Sequence, residues 1–222
     1  MYNRTDLRGG SCQAILLDLG PSPHQLHHHS RGFNLDRHGN LDLRYTTDRG
    51  MDCRQLLRLV EFENLTRILR SYGGVIKART VASSIIESRL MLRELTSTSD
   101  LQDLLVRCHQ SDKFWKEKEE IEVEENINKV VLALRIFINN ELNETEYAVQ
   151  MAEQLLEPAG LLVCRVQSNF ELNFLKKLIY KTGARISMED SDQNQDVAKV
   201  KQTWTLLEGC WNVNETLLFS KS

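Results

Sequence analysis

Residues that could bind a ligand follow a short apolar run near the start of the chain. Ala14 to Leu17 are consecutive apolar residues, which is typical of a buried parallel strand. Asp18 follows directly, and Gly20 begins a proline-containing turn. Ligands of open α/β sheets lie beyond the carboxyl ends of strands, where a carboxylate can accept hydrogen bonds from an amino group and a glycine permits close backbone approach. The same pattern also occurs for purely structural reasons, so by itself it indicates a site only weakly.

A group of histidines shortly after this turn resembles a metal-binding cluster. It comprises His24, His27, His28 and His29. Consecutive residues on a strand or helix point in different directions, and no cysteine or acidic residue lies at ligand spacing. We therefore expect a solvated loop here and no metal site.

Composition restricts the classes of function. The net charge of -3 gives no overall attraction to nucleic acid, so any RNA contact must come from local basic patches. The 5 cysteines are scattered without a C-x-x-C motif, which indicates core thiols in a reducing compartment. No stretch reaches the roughly 18 apolar residues of a membrane helix, and the polar start does not have the pattern of a secretory signal.

Several longer motifs occur in a fixed order. They are I-L-L-D-L-G at 15–20 with Ser22 and Gln25-Leu26, R-G-F at 31–33, L-D-L-R at 41–44, and A-L-R-I with I-N and E-L at 133–142. At these spacings they resemble the signature of the ribosomal RNA small-subunit methyltransferase H family. The resemblance extends over almost the whole chain.

Two family motifs are missing. The glycine-rich turn G-x-G-x-G-G-H-S, which approaches the methionine end of S-adenosylmethionine, does not occur in this sequence. In the block that corresponds to S-F-H-S-L-E-D-R, the chain clearly keeps only Glu171. The chain therefore matches only the later part of the family. We expect the first βαβ unit to be absent and strand 14–17 to have an exposed apolar edge.

The resemblance implies an α/β fold, a partial Rossmann-like S-adenosylmethionine-dependent methyltransferase sheet with an inserted helical domain. Residues 1–48 and 126–222 would form the methyltransferase core, and residues 49–125 the insertion. Apolar residues at helical spacing predict a helix over 53–73 that is capped at Gly73-Gly74. The pattern in the last part of the chain predicts helices at 145–156 and 170–181, and strands at 161–166, 184–188, 202–207 and 215–219.

The resemblance also implies a reaction, the methylation of the exocyclic N4 of a cytidine in small-subunit ribosomal RNA. The cofactor would be S-adenosyl-L-methionine, and no metal would take part. Asp18 would be the catalytic residue and would contact the cofactor together with Gln25. Candidate contacts to the RNA are Arg31, Phe33, Asp42, Arg44 and Arg135.

The candidate RNA contacts have structural alternatives. Phe33 could stack on a base and the arginines could bind phosphates. Equally, Phe33 could belong to the core, and Asp42 and Arg44 could form a local ion pair.

Two functions of different class remain open. The chain is either a methyltransferase of this family or a truncated or diverged relative without catalysis that binds RNA or a protein partner. The missing motifs favour the relative without catalysis for this chain alone. The retained motifs favour a methyltransferase for its lineage. We expect small-subunit ribosomal RNA as partner, no membrane, and self-association through the exposed sheet edge. The location would be mitochondrial in a eukaryote and cytoplasmic otherwise.

Overall fold

Two compact units make up the chain. The computed structural model describes residues 8–35, 38–181, 204–207 and 216–221. One unit comprises the described residues of Met1–Gly20 and Leu142–Ser222, and the other comprises those of Pro21–Glu141. The second unit is helical and has wider bounds than the predicted insertion at 49–125.

The first unit contains a four-stranded mixed sheet. Its strands are β1 (Cys12–Asp18), β2 (Leu156–Arg165), β3 (Trp204–Leu207) and β4 (Thr216–Lys221), in the order β1-β2-β4-β3. β1 is parallel to β2, and β4 is antiparallel to both β2 and β3. Helix α8 (Glu141–Leu155) precedes β2, and α9 (Asn169–Lys181) follows it. The sheet and helices confirm the α/β class, whereas the predicted strand 184–188 lies outside the described residues.

Strand β1 differs from its prediction in burial. Its parallel pairing is as expected, but Leu16 is 67% exposed, whereas Cys12, Ile15 and Leu17 pack against the core of this unit. The physical reason is alternation, because successive side chains of a strand point to opposite faces of the sheet.

Strand β2 begins at Leu156, five residues before the predicted strand 161–166. Cys12 pairs with Leu156 and Ala14 with Leu161, so β2 contains extra residues between two successive pairs. Ala159 takes up the irregularity with a φ of +64°. The result is a bulge at the start of β2.

The helical unit contains seven described α-helices and a short 3-10 helix at His29–Arg31. The α-helices are α1 (Pro23–His27), α2 (Cys53–Leu59), α3 (Phe62–Gly73), α4 (Ala78–Leu90), α5 (Thr98–Ser111), α6 (Lys113–Lys116) and α7 (Glu120–Ile138). The predicted helix 53–73 is therefore two helices, because the backbone is extended at Val60 and Glu61. Gly74 caps α3 in the left-handed conformation, and its N–H donates to the carbonyl of Arg70.

The wider bounds of the helical unit follow from its core. An irregular segment before α2 contributes Phe33, Leu35, Leu41 and Leu43 to the same buried cluster as α2–α5, and α7 contributes residues up to Leu134. In chain order all of α1–α7 lies between β1 and β2, which are neighbouring strands.

Helices α3 and α7 pack closely at Gly73. A Cβ there would collide with the carbonyl oxygen of Lys129 and lie 2.9 Å from the Cβ of Ala133. The absence of a side chain at Gly73 therefore permits the approach of the two helices.

A buried polar group links the helices at His109. Its Nδ1 lies 2.6 Å from the carbonyl oxygen of Leu105, and its Nε2 lies 2.9 Å from Nδ2 of Asn126. The backbone N–H and C=O of Ile76 orient the Asn126 amide. Because a carbonyl can only accept and this amide nitrogen donates, His109 is neutral with its proton on Nδ1. Burial lowers the pKa of His109 against the opposing effects of the Leu105 carbonyl and Asp112.

Among the described helices, none has the length and apolar character needed to cross a membrane.

Replacing Gly73 with alanine tests the helix contact. Ala normally favours a helix over Gly, so a loss of stability would be diagnostic of the clash. We expect Gly73→Ala to lower the free energy of unfolding by about 1–3 kcal/mol, as overpacking does. Ser71→Ala, an exposed change on the same helix, should stay within about 0.5 kcal/mol in the same urea titration. Equal stability of the two variants would contradict the close approach.

The buried neutral His109 makes stability depend on pH. Its pKa in the folded state is lowered, so the unfolded state binds more protons below the ordinary value of 6.5. The free energy of unfolding should fall as pH is lowered from about 7 to about 5. Asp42 and Asp100 also have lowered pKa values, but their effect begins near the ordinary value of 3.8. The His109→Phe variant should be less stable, but its free energy of unfolding should change less with pH over this range. An unchanged pH dependence in this variant would refute the assignment of a buried neutral His109.

Candidate functional site

Asp18 lies at the carboxyl end of the parallel strand pair. It is the last residue of β1 and pairs in register with Arg165, the last residue of β2. Nη1 of Arg165 lies 3.4 Å from Oδ2 of Asp18, and the side chain of Asp18 is 55% exposed. The carboxylate is therefore accessible and can accept hydrogen bonds from a ligand's amino or hydroxyl group.

The turn after Asp18 requires a glycine. Gly20 has a φ of +89°, and a Cβ there would lie 2.8 Å from Cδ and Oε1 of Gln167. The carboxamide of Gln167 thus lies against this turn. Arg165 and Gln167 are the polar neighbours of Asp18 and Gly20 that the sequence patterns did not single out.

The loop from β2 to α9 is held by a capping box. Oε2 of Glu171 accepts hydrogen bonds from the backbone N–H groups of Gln167 (2.8 Å) and Ser168 (3.0 Å). Oγ of Ser168 accepts from the N–H of Glu171 at 3.2 Å. Glu171, the residue retained from the S-F-H-S-L-E-D-R block, is buried and anchors the backbone that carries Gln167.

Gln25 lies in the helical unit, and its side chain forms hydrogen bonds to nearby backbone groups. Its Oε1 accepts from the N–H of Ser22 (2.9 Å), and its N–H lies 3.3 Å from Oγ of Ser22, which together form the capping box of α1. Its Nε2 donates to the carbonyl of Tyr45 at 3.1 Å.

Arg31 and Phe33 also contact the segment at Tyr45. Nη2 of Arg31 donates to the carbonyl oxygens of Arg44 and Tyr45, at 2.6 Å each. The buried ring of Phe33 lies 5.8 Å from the ring of Tyr45 and belongs to the core.

Asp42 and Arg44 form a half-buried ion pair. Nε of Arg44 lies 2.6 Å from Oδ1 of Asp42, and Nη2 lies 2.9 Å from Oδ2, so the pairing is bidentate. Burial alone would raise the pKa of Asp42, but hydrogen bonds from Arg44 and the positive charge of Arg31 hold the pKa below its usual value.

Arg135 is paired with Glu141 in a buried network. Nε and Nη2 of Arg135 lie 2.9 Å and 3.1 Å from the two carboxylate oxygens of Glu141. The hydroxyl of Tyr45 donates to Oε1 of Glu141 at 2.9 Å, and the backbone N–H of Tyr45 donates to Oδ1 of Asn139 at 2.6 Å. Nδ2 of Asn139 donates to the carbonyl of Leu43 at 2.7 Å.

Five of the seven predicted site residues bond to or contact Tyr45, Arg44 or Glu141 within the helical unit. They are Gln25, Arg31, Phe33, Asp42 and Arg135. Arg44 is itself the partner of Asp42, whereas Asp18 lies in the sheet unit. Tyr45 itself was missed, since no local pattern marks it. The available signal was the group Arg135, Asn139 and Glu141, polar residues at the end of an apolar helix.

The histidine-rich segment is held by local contacts. Nδ1 of His27 lies 2.6 Å from the carbonyl oxygen of Pro23, and Nδ1 of His28 lies 2.8 Å from Oγ of Ser30. Within the part of the chain that the structure describes, no three His, Cys, Asp or Glu side chains are grouped so that they could hold a metal ion.

Comparison with known proteins identifies relatives that include animal and bacterial methyltransferases. "12S rRNA N(4)-cytidine methyltransferase METTL15" of Mus musculus is 31% identical over 204 residues, covering 90% of this chain and 49% of the relative. The Bos taurus protein of the same name is 32% identical over 180 residues, covering 79% and 44%. "Ribosomal RNA small subunit methyltransferase H" of Delftia acidovorans is 31% identical over 180 residues, covering 80% and 55%.

The chain spans about half the length of the curated relatives it matches. A family model described as the MraW methylase family matches residues 3–201, which is nearly the whole sequence. The chain therefore belongs to the MraW methylase family.

Proposed function

We propose that the protein acts in the S-adenosylmethionine-dependent N4-methylation of a cytidine in small-subunit ribosomal RNA. The observation that carries this proposal is the exposed carboxylate of Asp18 at the carboxyl end of two parallel strands, inside the region matched by the family. The names of the animal and bacterial relatives support the substrate class.

The chemistry assigns a task to Asp18. The lone pair of an exocyclic amine is delocalised into the base, so the amine must be held by an acceptor and turned toward the methyl donor. S-adenosylmethionine supplies an electrophilic methyl group when it is bound. Asp18 would accept an N–H of the target amine or of the cofactor, and most of the acceleration would come from positioning.

The residues near Asp18 fit a cofactor edge better than Gln25 does. The exposed carboxylate of Asp18 can take a ligand, whereas the carboxamide of Gln25 already bonds to Ser22 and Tyr45. A sheet with one antiparallel strand beside a parallel pair is compatible with a partial doubly wound methyltransferase sheet. The helical unit, which lies between β1 and β2 in the chain, would be its insertion.

The remaining predicted residues would act on the RNA indirectly. Arg31, Asp42, Arg44 and Arg135 have backbone or ion-pair partners, and Phe33 is buried. We assign them to the scaffold that shapes the segment 31–45 rather than to direct phosphate contact.

A non-catalytic relative that binds RNA or a protein remains the second candidate. It is favoured by the loss of the S-F-H-S block, whose position lies within this sequence. For either function, the location would be mitochondrial in a eukaryote and cytoplasmic in a bacterium. The exposed edge of β1 would also support self-association.

Replacing Asp18 tests the proposed function. We expect Asp18→Ala to weaken S-adenosylmethionine binding about 10- to 150-fold, because one hydrogen bond to a charged group is worth about 1.5–3 kcal/mol. Methyl transfer to a small-subunit ribosomal RNA transcript should fall with it. Thermal stability should barely change, because the ion pair with Arg165 is exposed.

The control is Asp103→Ala, which removes an exposed carboxylate from α5. Calorimetric titration of the wild-type chain and both variants separates the two candidates. If the Asp18→Ala variant bound S-adenosylmethionine with wild-type affinity, Asp18 would not belong to the cofactor site. A wild-type chain that binds RNA but neither binds the cofactor nor transfers a methyl group would favour the non-catalytic function.

Replacing Arg135 tests the scaffold role. Arg135→Met should lower the free energy of unfolding by about 3–5 kcal/mol, because it leaves Glu141 buried without its charged partner. Arg58→Met, which breaks an exposed pair, should change it by at most about 1 kcal/mol. Unchanged stability with a loss of RNA affinity in Arg135→Met would instead indicate direct substrate contact.

A further inference from the structure

The helical unit has a cavity that none of the predicted site residues lines. Its volume is about 560 Å³, and it is bounded by α2, α3 and the end of α7. Since the candidate RNA-binding arginines are engaged within the fold, a surface for RNA must be sought among other residues. The walls of this cavity combine exposed apolar side chains with a positively charged side chain, a combination that the protein interior does not have.

Exposed apolar side chains are concentrated in this cavity. Met51, Leu59 and Phe137 all line it, and each is among the large apolar residues that remain exposed. Phe137 is 43% exposed. Single exposed apolar residues need no explanation, but several around one concave surface indicate a binding site.

An aromatic pair forms part of the wall. The rings of Tyr72 and Phe137 are stacked with centroids 6.3 Å apart and planes inclined by 27°. Tyr72 packs against the core, so it supports the ring of Phe137 from within the unit. A fixed and partly exposed ring is a platform on which a flat group can stack.

The polar groups of the wall favour an anionic ligand. Arg67 is exposed and is the only charged residue among the described residues that line the cavity. Its Nη2 donates to Oδ1 of Asn64 at 3.1 Å, which orients the guanidinium at the rim. Asn64 and Ser71 add side chains that can donate and accept hydrogen bonds.

We propose that this cavity binds an unpaired nucleotide of a single-stranded RNA segment. The inference rests on the proposed function for the choice of RNA, and it adds a subsite outside the sheet edge. The base would stack on Phe137, Arg67 would bind a phosphate, and Asn64 with Ser71 would contact the base edge. An apolar protein segment would use the same ring but would not require an anion partner for Arg67, so charge complementarity favours the nucleotide.

RNA-binding measurements on the full chain test the subsite. The probe is a fluorescein-labelled single-stranded RNA of about 12 nucleotides, followed by anisotropy at several salt concentrations. Phe137→Ala should weaken binding about 5- to 150-fold, as the loss of one stacked base does, and Phe137→Tyr should restore most of it. Phe114→Ala is the matched control, because Phe114 is 38% exposed in the same unit but does not line the cavity.

The salt dependence tests the charge. Arg67→Gln should reduce the slope of log affinity against log salt by about 0.7, the value for one phosphate contact on a single strand. Arg107→Gln removes an exposed arginine from α5 and should leave the slope unchanged. If Arg67 had only a structural role, Arg67→Gln would leave the slope of log affinity against log salt unchanged.

Several outcomes would overturn the subsite. Failure of the wild-type chain to bind RNA at low salt would do so, as would equal affinity of the Phe137→Ala and Phe114→Ala variants. Self-association that Phe137→Ala abolishes and RNA does not compete with would identify a protein interface. Cofactor binding, measured in parallel, separates this inference from the proposed function. RNA binding through Phe137 without cofactor binding would support the subsite and reject methyl transfer. Cofactor binding without RNA binding through Phe137 would reject the subsite and leave the proposed function in place.

Discussion

The ion pair between Arg135 and Glu141 is the contact on which the organisation of the helical unit depends. Both side chains are largely buried, so each requires the other and further hydrogen bonds to offset the loss of water. The hydroxyl of Tyr45 supplies one of these bonds. Tyr45 belongs to an irregular segment, in which several backbone groups bond to side chains because no regular helix or strand pairs them. Gln25, Arg31 and Asn139 provide them.

The charged residues of the retained motifs differ in accessibility. In the helical unit Asp42 and Arg135 are largely buried and help to hold an irregular backbone against a regular helical core. In the sheet unit Asp18 and Arg165 remain accessible at the ends of their strands, whereas the buried Glu171 binds the backbone N–H groups of Gln167 and Ser168. Asp18 is therefore available for a ligand, whereas most of the retained motif residues are occupied.

Local patterns predicted elements better than they predicted surroundings. The parallel strand at 14–17, the cap at Gly74 and the helix starting near 169 follow from apolar spacing and glycine, which act over a few residues. The exposure of Leu16 could not be predicted, because it depends on which elements cover each face of the sheet. The role of Tyr45 was equally hidden, since its partners Asn139 and Glu141 are 94 and 96 residues away in the chain. Sequence left open whether Phe33 belongs to the core, because its burial depends on helices that lie far along the chain.

The separation of β1 from β2 has a consequence for biosynthesis. Asp18 and Arg165 are neighbours in the sheet but 147 residues apart in the sequence. At a translation rate of about 5–20 residues per second, β1 emerges roughly 7–30 s before its partner exists. During that interval the helical unit, whose contacts are complete by Glu141, can fold on its own and shorten the loop that must close. Until then the edge of β1 that β2 occupies has no partner, so the time for which this edge stays open depends on how quickly the ribosome delivers β2.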